Sequence, residues 1–401
     1  MTVRSAVVLA AGEGARLRPL TRNRPKPMLP ATTRPVLSYV LDALVEAGVE
    51  EMTLVVGYRR DRVQDHFGDE HRGVSLSYVV QDAQLGSGHA LLAARAAVDG
   101  PFLAVNGDQV VAPEVVADVR EAFGDGVADG HPTAALAVVE RADVSEYGAV
   151  VLNDDRVTEL VEKPGSDRYS LLNAGVYAFD EGIFDALDST PRVDGELALT
   201  DTLRRLVAAG RVRGVRTSGS WVDATRPWDL LSVSHELLVA GCVDEPERDE
   251  RVWVADGAEV HESATLRPPV VVGADCTVAA GAVVGPDVAL GRNVTVGANA
   301  VVEASVLDDD TRVGPNATLV DCVTGQGVRL GAGATVPGGP GDVRVDDVVH
   351  EDERLGALLA DRVRAAGDAS FAPGTLVGPG TTIAAGASVS GTVAERVTVI
   401  R

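Results

Sequence analysis

An aliphatic side chain returns every six residues through the second half of this chain. The series runs Val260, Leu266, Val272, Val278, Val284, Leu290, Val296 and Val302, and Phe371, Val377, Ile383 and Val389 repeat the same step further on. An α-helix returns to one face after about 3.6 residues and a strand after 2, so this period suits neither an amphipathic helix nor an alternating strand. It suits a chain that turns a corner after each short strand, with three strands to a coil. One apolar side chain per strand then points inward and stacks on its equivalent in the next coil, which is a parallel β-helix. Glycine follows the aliphatic residue at Gly273, Gly285, Gly291 and Gly297, where it permits a tight corner. The period breaks at Pro337-Gly338-Gly339-Pro340-Gly341 and the charged run from Asp342 to Arg354. These loop formers predict an excursion near 337–358 inside a domain spanning 251–401.

The first half reads differently. Apolar strand-like segments at Ala6–Ala10, Met52–Val56, Leu76–Val80 and Phe102–Val105 alternate with helix-like spacing at Val36–Ala47, Arg59–His66, His89–Val98 and Pro113–Phe123. That order predicts an α/β fold over 1–232, a Rossmann-like, mostly parallel sheet with helices on both faces. Ligands of such sheets bind beyond the carboxyl ends of the strands. A helix at Pro227–Ala240 and the acidic stretch Val243 to Glu250 make 233–250 a helix end and linker.

Charge narrows the function. The chain carries 59 acidic and 36 basic residues, a net charge of −23, which would repel nucleic acid. The basic residues are almost all arginine; the lysines are Lys26 and Lys163 alone. An acid-rich, lysine-poor chain suggests adaptation to high salt, and a lysine kept in such a chain points to a task that arginine's planar fork cannot perform. Cys242, Cys276 and Cys322 are widely spaced and odd in number, so they read as small packing residues. No run of about 18 apolar residues predicts a membrane span, and the N-terminus runs into a strand rather than a signal segment, so the expected location is the cytoplasm.

The most informative segment is Leu9-Ala10-Ala11-Gly12-Glu13-Gly14-Ala15-Arg16-Leu17-Arg18-Pro19-Leu20-Thr21, continuing to Arg24-Pro25-Lys26-Pro27-Met28. Glycines after a first strand let backbone N–H groups approach phosphates. Pro25, Pro27 and Pro30 rule out a regular helix, so an extended loop that folds over a ligand is expected. Between Glu13 and Asp42 there is no acidic residue, yet Arg16, Arg18, Arg22, Arg24, Lys26 and Arg34 all lie there. In so acidic a chain this is a local positive field suited to a triphosphate; the plainer reading is a basic patch paired with acids elsewhere.

This segment resembles the signature of the sugar-phosphate nucleotidylyltransferases, and the resemblance extends over the whole chain, in the order of parts found in the archaeal bifunctional uridylyltransferase/acetyltransferases. It implies that Ala11, Gly12 and Gly14 hold the nucleotide while Arg16 and Lys26 carry its phosphates. It implies that Gln81 reads a pyrimidine base, with Gly86 and Ser87 of Leu85-Gly86-Ser87-Gly88-His89-Ala90 beside base and ribose. Asp108, in Asn106-Gly107-Asp108, and Asp223, in Trp221-Val222-Asp223, match the two metal-binding aspartates, and the implied metal is Mg²⁺. Gly148, Glu162 of Glu162-Lys163-Pro164, and Asn173 match sugar contacts, with Lys163 near the sugar phosphate. His89 reads as a helix-start residue, and Trp221 and Trp228 as packing.

The implied reaction is attack of a sugar-1-phosphate oxygen on the α-phosphorus of UTP or dTTP, with pyrophosphate leaving. Both reactants are anions, which explains a metal carboxylate pair and two lysines. The sugar is N-acetylglucosamine-1-phosphate or glucose-1-phosphate. The second domain, by resemblance a left-handed β-helix of hexapeptide repeats, implies a homotrimer and, in related enzymes, acetyl transfer from acetyl-CoA. Here the chain departs from the pattern: Asn316 stands where the catalytic histidine is expected, Val336-Pro337-Gly338 replaces a Thr-Ala-Asn segment, and no lysine follows Lys163. A non-catalytic scaffold subunit is the third reading, opposed by the joint presence of Lys26, Asp108, Lys163 and Asp223.

Overall fold

A computed structural model describes residues 3–125, 133–141, 144–145, 147–164, 169–346 and 348–400. Its contacts form two compact units. Met1–Glu13 and Val36–Val222 make the first, and Gly14–Pro35 and Asp223–Arg401 the second.

The first unit contains β1 (Ser5–Ala10), α1 (Val36–Glu46), β2 (Glu51–Val56), α2 (Arg60–Phe67), β3 (Glu70–His71), β4 (Val74–Val80), α3 (Ser87–Ala93), β5 (Phe102–Asn106), β6 (Gln109–Val111), α4 (Pro113–Asp125), β7 (Ala134–Glu140), β8 (Gly148–Asn153), β9 (Arg156–Glu162), β10 (Leu171–Phe179), α5 (Gly182–Asp188), α6 (Leu199–Ala208), β11 (Val212–Arg216) and β12 (Trp221–Asp223). Ten strands form one sheet in the order β8-β9-β11-β7-β10-β5-β1-β2-β4-β3. The expected parallel order runs through β4-β2-β1-β5 and returns in the β11–β7 pair. Beyond β5 the sheet is mixed, because β10 lies antiparallel to both β5 and β7, and β8–β9 is a hairpin. Neighbours in β1, Val7 and Val8, point to opposite faces and both are buried, so helices cover the sheet on two sides. α1 packs with α4, and α3 with α5 and α6. Pro113 heads α4, where its missing N–H costs nothing.

The second unit is a parallel β-helix of three sheets, with nine, eight and seven strands. One coil, Val270–Val272, Thr277–Val278 and Val283–Val284, pairs with the next, Val288–Leu290, Thr295–Val296 and Val301–Glu303. The six-residue series falls on inward positions: Val272, Val278, Val284, Leu290, Val296 and Val302 are all buried. Many corners are made by Asp or Asn in the left-handed region, among them Asp275, Asp287, Asn293, Asn299, Asp310, Asn316 and Asp368, at φ from 56° to 61°. These short polar side chains tolerate that conformation better than others do. Asn316 is therefore a corner residue of the same kind as Asn299. On the nine-stranded sheet the outward residues Trp253, Val271 and Ala289 are also buried, packed against Leu238 of α7 (Asp229–Ala240).

Between the strands Thr335–Pro337 and Ala357–Leu359 the chain leaves the coil as an antiparallel hairpin, Gly341–Val345 with Val348–Glu353; position 347 lies outside the described residues. Ala357–Leu359 then pairs directly with Cys322–Thr324, so the coil resumes in register. The acidic segment before the β-helix contributes a strand, Glu247–Asp249, antiparallel to Val252–Val254.

Candidate active site

In the first unit the parallel strands end level with one another. Ala10 is in register with Val56, Val56 with Val80, and Leu9 with Asn106. Ala11, Gly12, Gln81 and Asn106-Gly107-Asp108 therefore all leave the same sheet edge. Gly107 donates its N–H to Leu9 O at 2.9 Å. A Cβ on Gly57 would stand 3.0 Å from Ala11 O, and one on Gly107 3.1 Å from Leu9 O. Bare backbone is what lets these loops lie so close together.

Gln81 is buried, and its Nε2 donates to Gly86 O at 3.2 Å and to His89 Nδ1 at 2.9 Å. The glutamine and the Leu85–Ala90 loop are thus locked together, and the His89 ring does part of that work, beyond the helix-start role expected of it. Gly86, at φ 95°, touches the Leu197 backbone, where a Cβ would collide with its carbonyl. Leu197 N donates to Leu85 O at 2.7 Å, and Gly88 N donates to Leu197 O at 2.8 Å. Ser87 Oγ accepts the Leu199 N–H at 3.1 Å and so satisfies an end donor of α6. The hydroxyl expected beside the nucleotide has a structural duty here.

The three predicted sugar contacts come together. Gly148 and Glu162 are register partners across the β8–β9 hairpin. A Cβ on Gly148 would lie 3.5 Å from Glu162 Oε2 and 3.7 Å from Asn173 Cβ. Asn173 Nδ2 donates to the Tyr177 hydroxyl at 2.8 Å, and its Oδ1 accepts from Gly175 N at 3.2 Å. Burial pushes the Tyr177 phenol up to about 12; the Asn173 hydrogen bond offsets this in part and the Glu162 charge adds to it. The phenol stays neutral. The register shift in β10 between Asn173 and Tyr177 turns Ala174 O toward Gln109 Nε2 (2.7 Å) and Trp221 Nε1 (2.9 Å). Trp221 is buried and meets Tyr147 edge-on, with ring centroids 5.2 Å apart. Lys163 follows Glu162 at φ 45° and donates its N–H to Tyr147 O at 2.9 Å. Tyr177 and Gln109 were not singled out in the sequence; a tyrosine four residues after Asn173, on a strand that bulges between them, carries no signal of its own.

In the second unit the segment Gly14–Pro35 is compact rather than extended. The prolines do exclude an α-helix, but 3₁₀ turns form at Ala15–Leu17, Leu20–Arg22 and Lys26–Met28, and Leu17, Leu20 and Leu29 are buried. Lys26 is 7% exposed and its Nζ lies 2.8 Å from Asp223 Oδ1. Gly14, at φ 69°, backs this lysine, since a Cβ there would be 2.7 Å from Lys26 Cβ. Thr21 Oγ1 donates to Gly14 O at 2.8 Å. Arg16 is exposed on its turn. The six-residue positive field is smaller than the sequence implies: Arg24 lies 2.5 Å from Asp308 and 2.7 Å from Asp361, and Arg34 2.7 Å from Asp244. For these two the patch does pair with acids elsewhere. After Asp223, the Asp229 carboxylate accepts the Thr225 and Arg226 N–H groups at 2.9 and 2.7 Å. Trp228 is buried, as a packing residue would be.

Relatives bear on this arrangement. Bifunctional protein GlmU of Methanococcus maripaludis (strain S2) is 28% identical over 95% of this chain and 93% of its own length. UTP-glucose-1-phosphate uridylyltransferase AglF of Haloferax volcanii is 36% identical over 58% of this chain and 96% of its own. Among solved structures, UDP-glucose pyrophosphorylase complexed with UDP-glucose superposes with a TM-score of 0.53 at 25% identity, over 59% of this chain and 99% of that one. Residues 266–364 match the GMPPB C-terminal domain. Residues 5–239, which hold every site residue described above, match the nucleotidyl transferase family model, and the chain belongs to that family.

Proposed function

We propose that the protein transfers a nucleoside monophosphate from UTP or dTTP to a hexose-1-phosphate, N-acetylglucosamine-1-phosphate or glucose-1-phosphate, giving an NDP-sugar and pyrophosphate. The observation that carries this reading is the convergence of Gly148, Glu162 and Asn173 in one place. A carboxylate and an amide beside a side-chain-free backbone suit a polyhydroxylated ring. Glu162 accepts sugar hydroxyls, and Asn173, oriented by the neutral Tyr177 phenol, adds a directional contact. Lys163 offers a compact positive charge to the sugar phosphate. Gln81 and the loop of Gly86 and Ser87 take the base and ribose, and the backbone of Ala11, Gly12 and Gly14 the phosphates. Arg16 and Lys26 offset charge on the leaving pyrophosphate. A phosphate monoester is already a competent nucleophile, so no general base is needed and the side chains position and neutralise.

Mg²⁺ is the metal proposed, with Asp108 and Asp223 as its carboxylates. Both offer hard carboxylate oxygens, and among the described residues no group of three or more His, Cys, Asp or Glu forms a protein cage. One or two carboxylates with substrate phosphates is how Mg²⁺ is usually held. Asp223 is 14% exposed and already faces a cation, the Lys26 ammonium. When bound, the ion supplies charge neutralisation on the phosphates.

Acetyl transfer is the second reading, favoured by the match to a bifunctional relative over 95% of this chain. The test is pyrophosphate release with Mg²⁺ at high KCl, crossing UTP and dTTP with both sugar phosphates, and acetyl-CoA consumption with glucosamine-1-phosphate. Release that requires one pair and is lost in Asp108→Asn and Asp223→Asn is the expected outcome. Folded protein that releases none with any pair would sink the reading.

A further inference from the structure

We propose that the β-helix positions the phosphate-binding loop, with Arg24 as the tie: its guanidinium, fixed between Asp308 and Asp361, sets the place of Lys26. This rests on the reading of Arg16 and Lys26 as phosphate ligands. Asp308 directly follows the strand Ser305–Leu307, and Asp361 comes one residue later relative to Ala357–Leu359; both strands belong to the nine-stranded sheet, with Cys322–Thr324 between them. The two carboxylates therefore come from the same edge of the β-helix, two coils apart. In the intervening coil Gly325 is level with Asp308, and a Cβ on it would collide with Asp361 Oδ1. Gly325 thus puts no side chain against Asp361, and one guanidinium nitrogen of Arg24 meets both carboxylates. Asn23 adds a bond from Nδ2 to Asp361 Oδ2 at 3.4 Å, and Gln326 N donates to Asp361 Oδ1 at 3.0 Å.

The arrangement is a costly way to gain stability. The Arg24, Asp308 and Asp361 side chains are 13%, 10% and 12% exposed, and burial works against ionisation of Asp308 even beside an arginine. The Asp308 Oδ2 contact is a close charge contact rather than an aligned hydrogen bond. Buried ion clusters are often no more stable than apolar replacements; their best-attested use is to fix register. The register fixed here is that of a loop. One residue, Pro25, separates Arg24 from Lys26, and its φ of −75° is held by the ring. Lys26 then opens a 3₁₀ turn closed by Leu29 N donating to Lys26 O at 2.9 Å. A fixed Arg24 thereby fixes the start of the Lys26 side chain, whose far end meets Asp223.

The test compares wild type, Arg24→Met, and the triple variant Arg24→Met/Asp308→Asn/Asp361→Asn, each as the full chain. The single variant leaves two buried carboxylates facing each other and is expected to unfold at a lower temperature. The triple removes the tie without a buried unpaired charge and is expected to regain the unfolding midpoint. It is expected to keep a kcat lower on the order of 10- to 100-fold, as a slight misplacement of a catalytic group costs. Hydrogen exchange should quicken about tenfold or more at residues 15–30 in the triple, while the β-helix core keeps its protection. Recovery of kcat together with the unfolding midpoint would overturn the proposal, and so would unchanged exchange at 15–30. Wild type that turns over no substrate pair would instead count against the function proposed above, and the exchange measurement still decides the tie.

Discussion

Lys26 shows how tightly one residue can be specified. Gly14 backs its Cβ, and Asp223 holds its ammonium at 2.8 Å. Arginine would bring a wider, planar head into this space and could not meet a single carboxylate oxygen as a point charge does. Lys26→Arg is therefore expected to fold with a lowered unfolding midpoint and, assayed below that midpoint, to lose about tenfold or more in the rate of pyrophosphate release. A steady-state assay beside a melting curve checks it, and an arginine variant at the wild-type rate would show that only charge matters at this position. Lys26 stands out in the sequence because arginine serves almost everywhere else in the chain. Glu162, Gly148 and Asn173 were legible only by motif. Nothing local says that they meet, because their meeting depends on the β8–β9 register and the shift in β10. The sequence names no partner for Arg24 for a related reason: its partners lie on the β-helix at 308 and 361, and a charge count along the chain cannot see them.

At the scale of elements, the β-helix was the most readable part. One inward aliphatic per short strand leaves a period that no helix or ordinary strand shares. The segment that leaves the coil between Pro337 and Ala357 is rich in proline, glycine and charge, which supply no inward aliphatic side chain. The mixed half of the first sheet was not readable, because antiparallel and parallel neighbours carry the same apolar runs when both faces are buried. The coil core also sets an alkaline limit. Cys276 and Cys322 are buried there, and burial pushes their thiols up to about 11 and about 12. Above about 9 the unfolded chain's thiols ionise while the folded chain's stay protonated. The folded state then binds more protons, so stability falls as pH rises through that window. Each thiol adds a slope of about 1.4 kcal/mol per pH unit at most. Cys276→Ala/Cys322→Ala is expected to lose less stability between pH 9 and 11 than wild type does, measured by urea unfolding at each pH. The Tyr177 phenol, also raised, leaves a residual slope above about 10 in both proteins. Parallel slopes in the two proteins would mean that the thiols do not titrate on unfolding.

At the scale of the whole molecule the net charge of −23 dominates. Like charges spread over a surface oppose compaction and association alike, whereas the pairing of Arg24 is buried and little affected by salt. Salt should therefore act on the surface charge and leave that tie intact. If the chain is adapted to high salt and its β-helices assemble as a trimer, both properties must respond to the same variable. Screening shortens the reach of each charge to about 3 Å at 1 M ionic strength, from about 30 Å at 0.01 M. The unfolding midpoint is expected to rise as KCl increases over that range, and sedimentation is expected to pass from a dissociated chain to a particle of three copies. The two curves need not coincide, because association brings three such charges together and demands more screening than folding one chain. A trimer already complete at the lowest salt, in a chain already fully stable there, would remove the case for salt adaptation and leave the acidic surface to be explained by solubility alone.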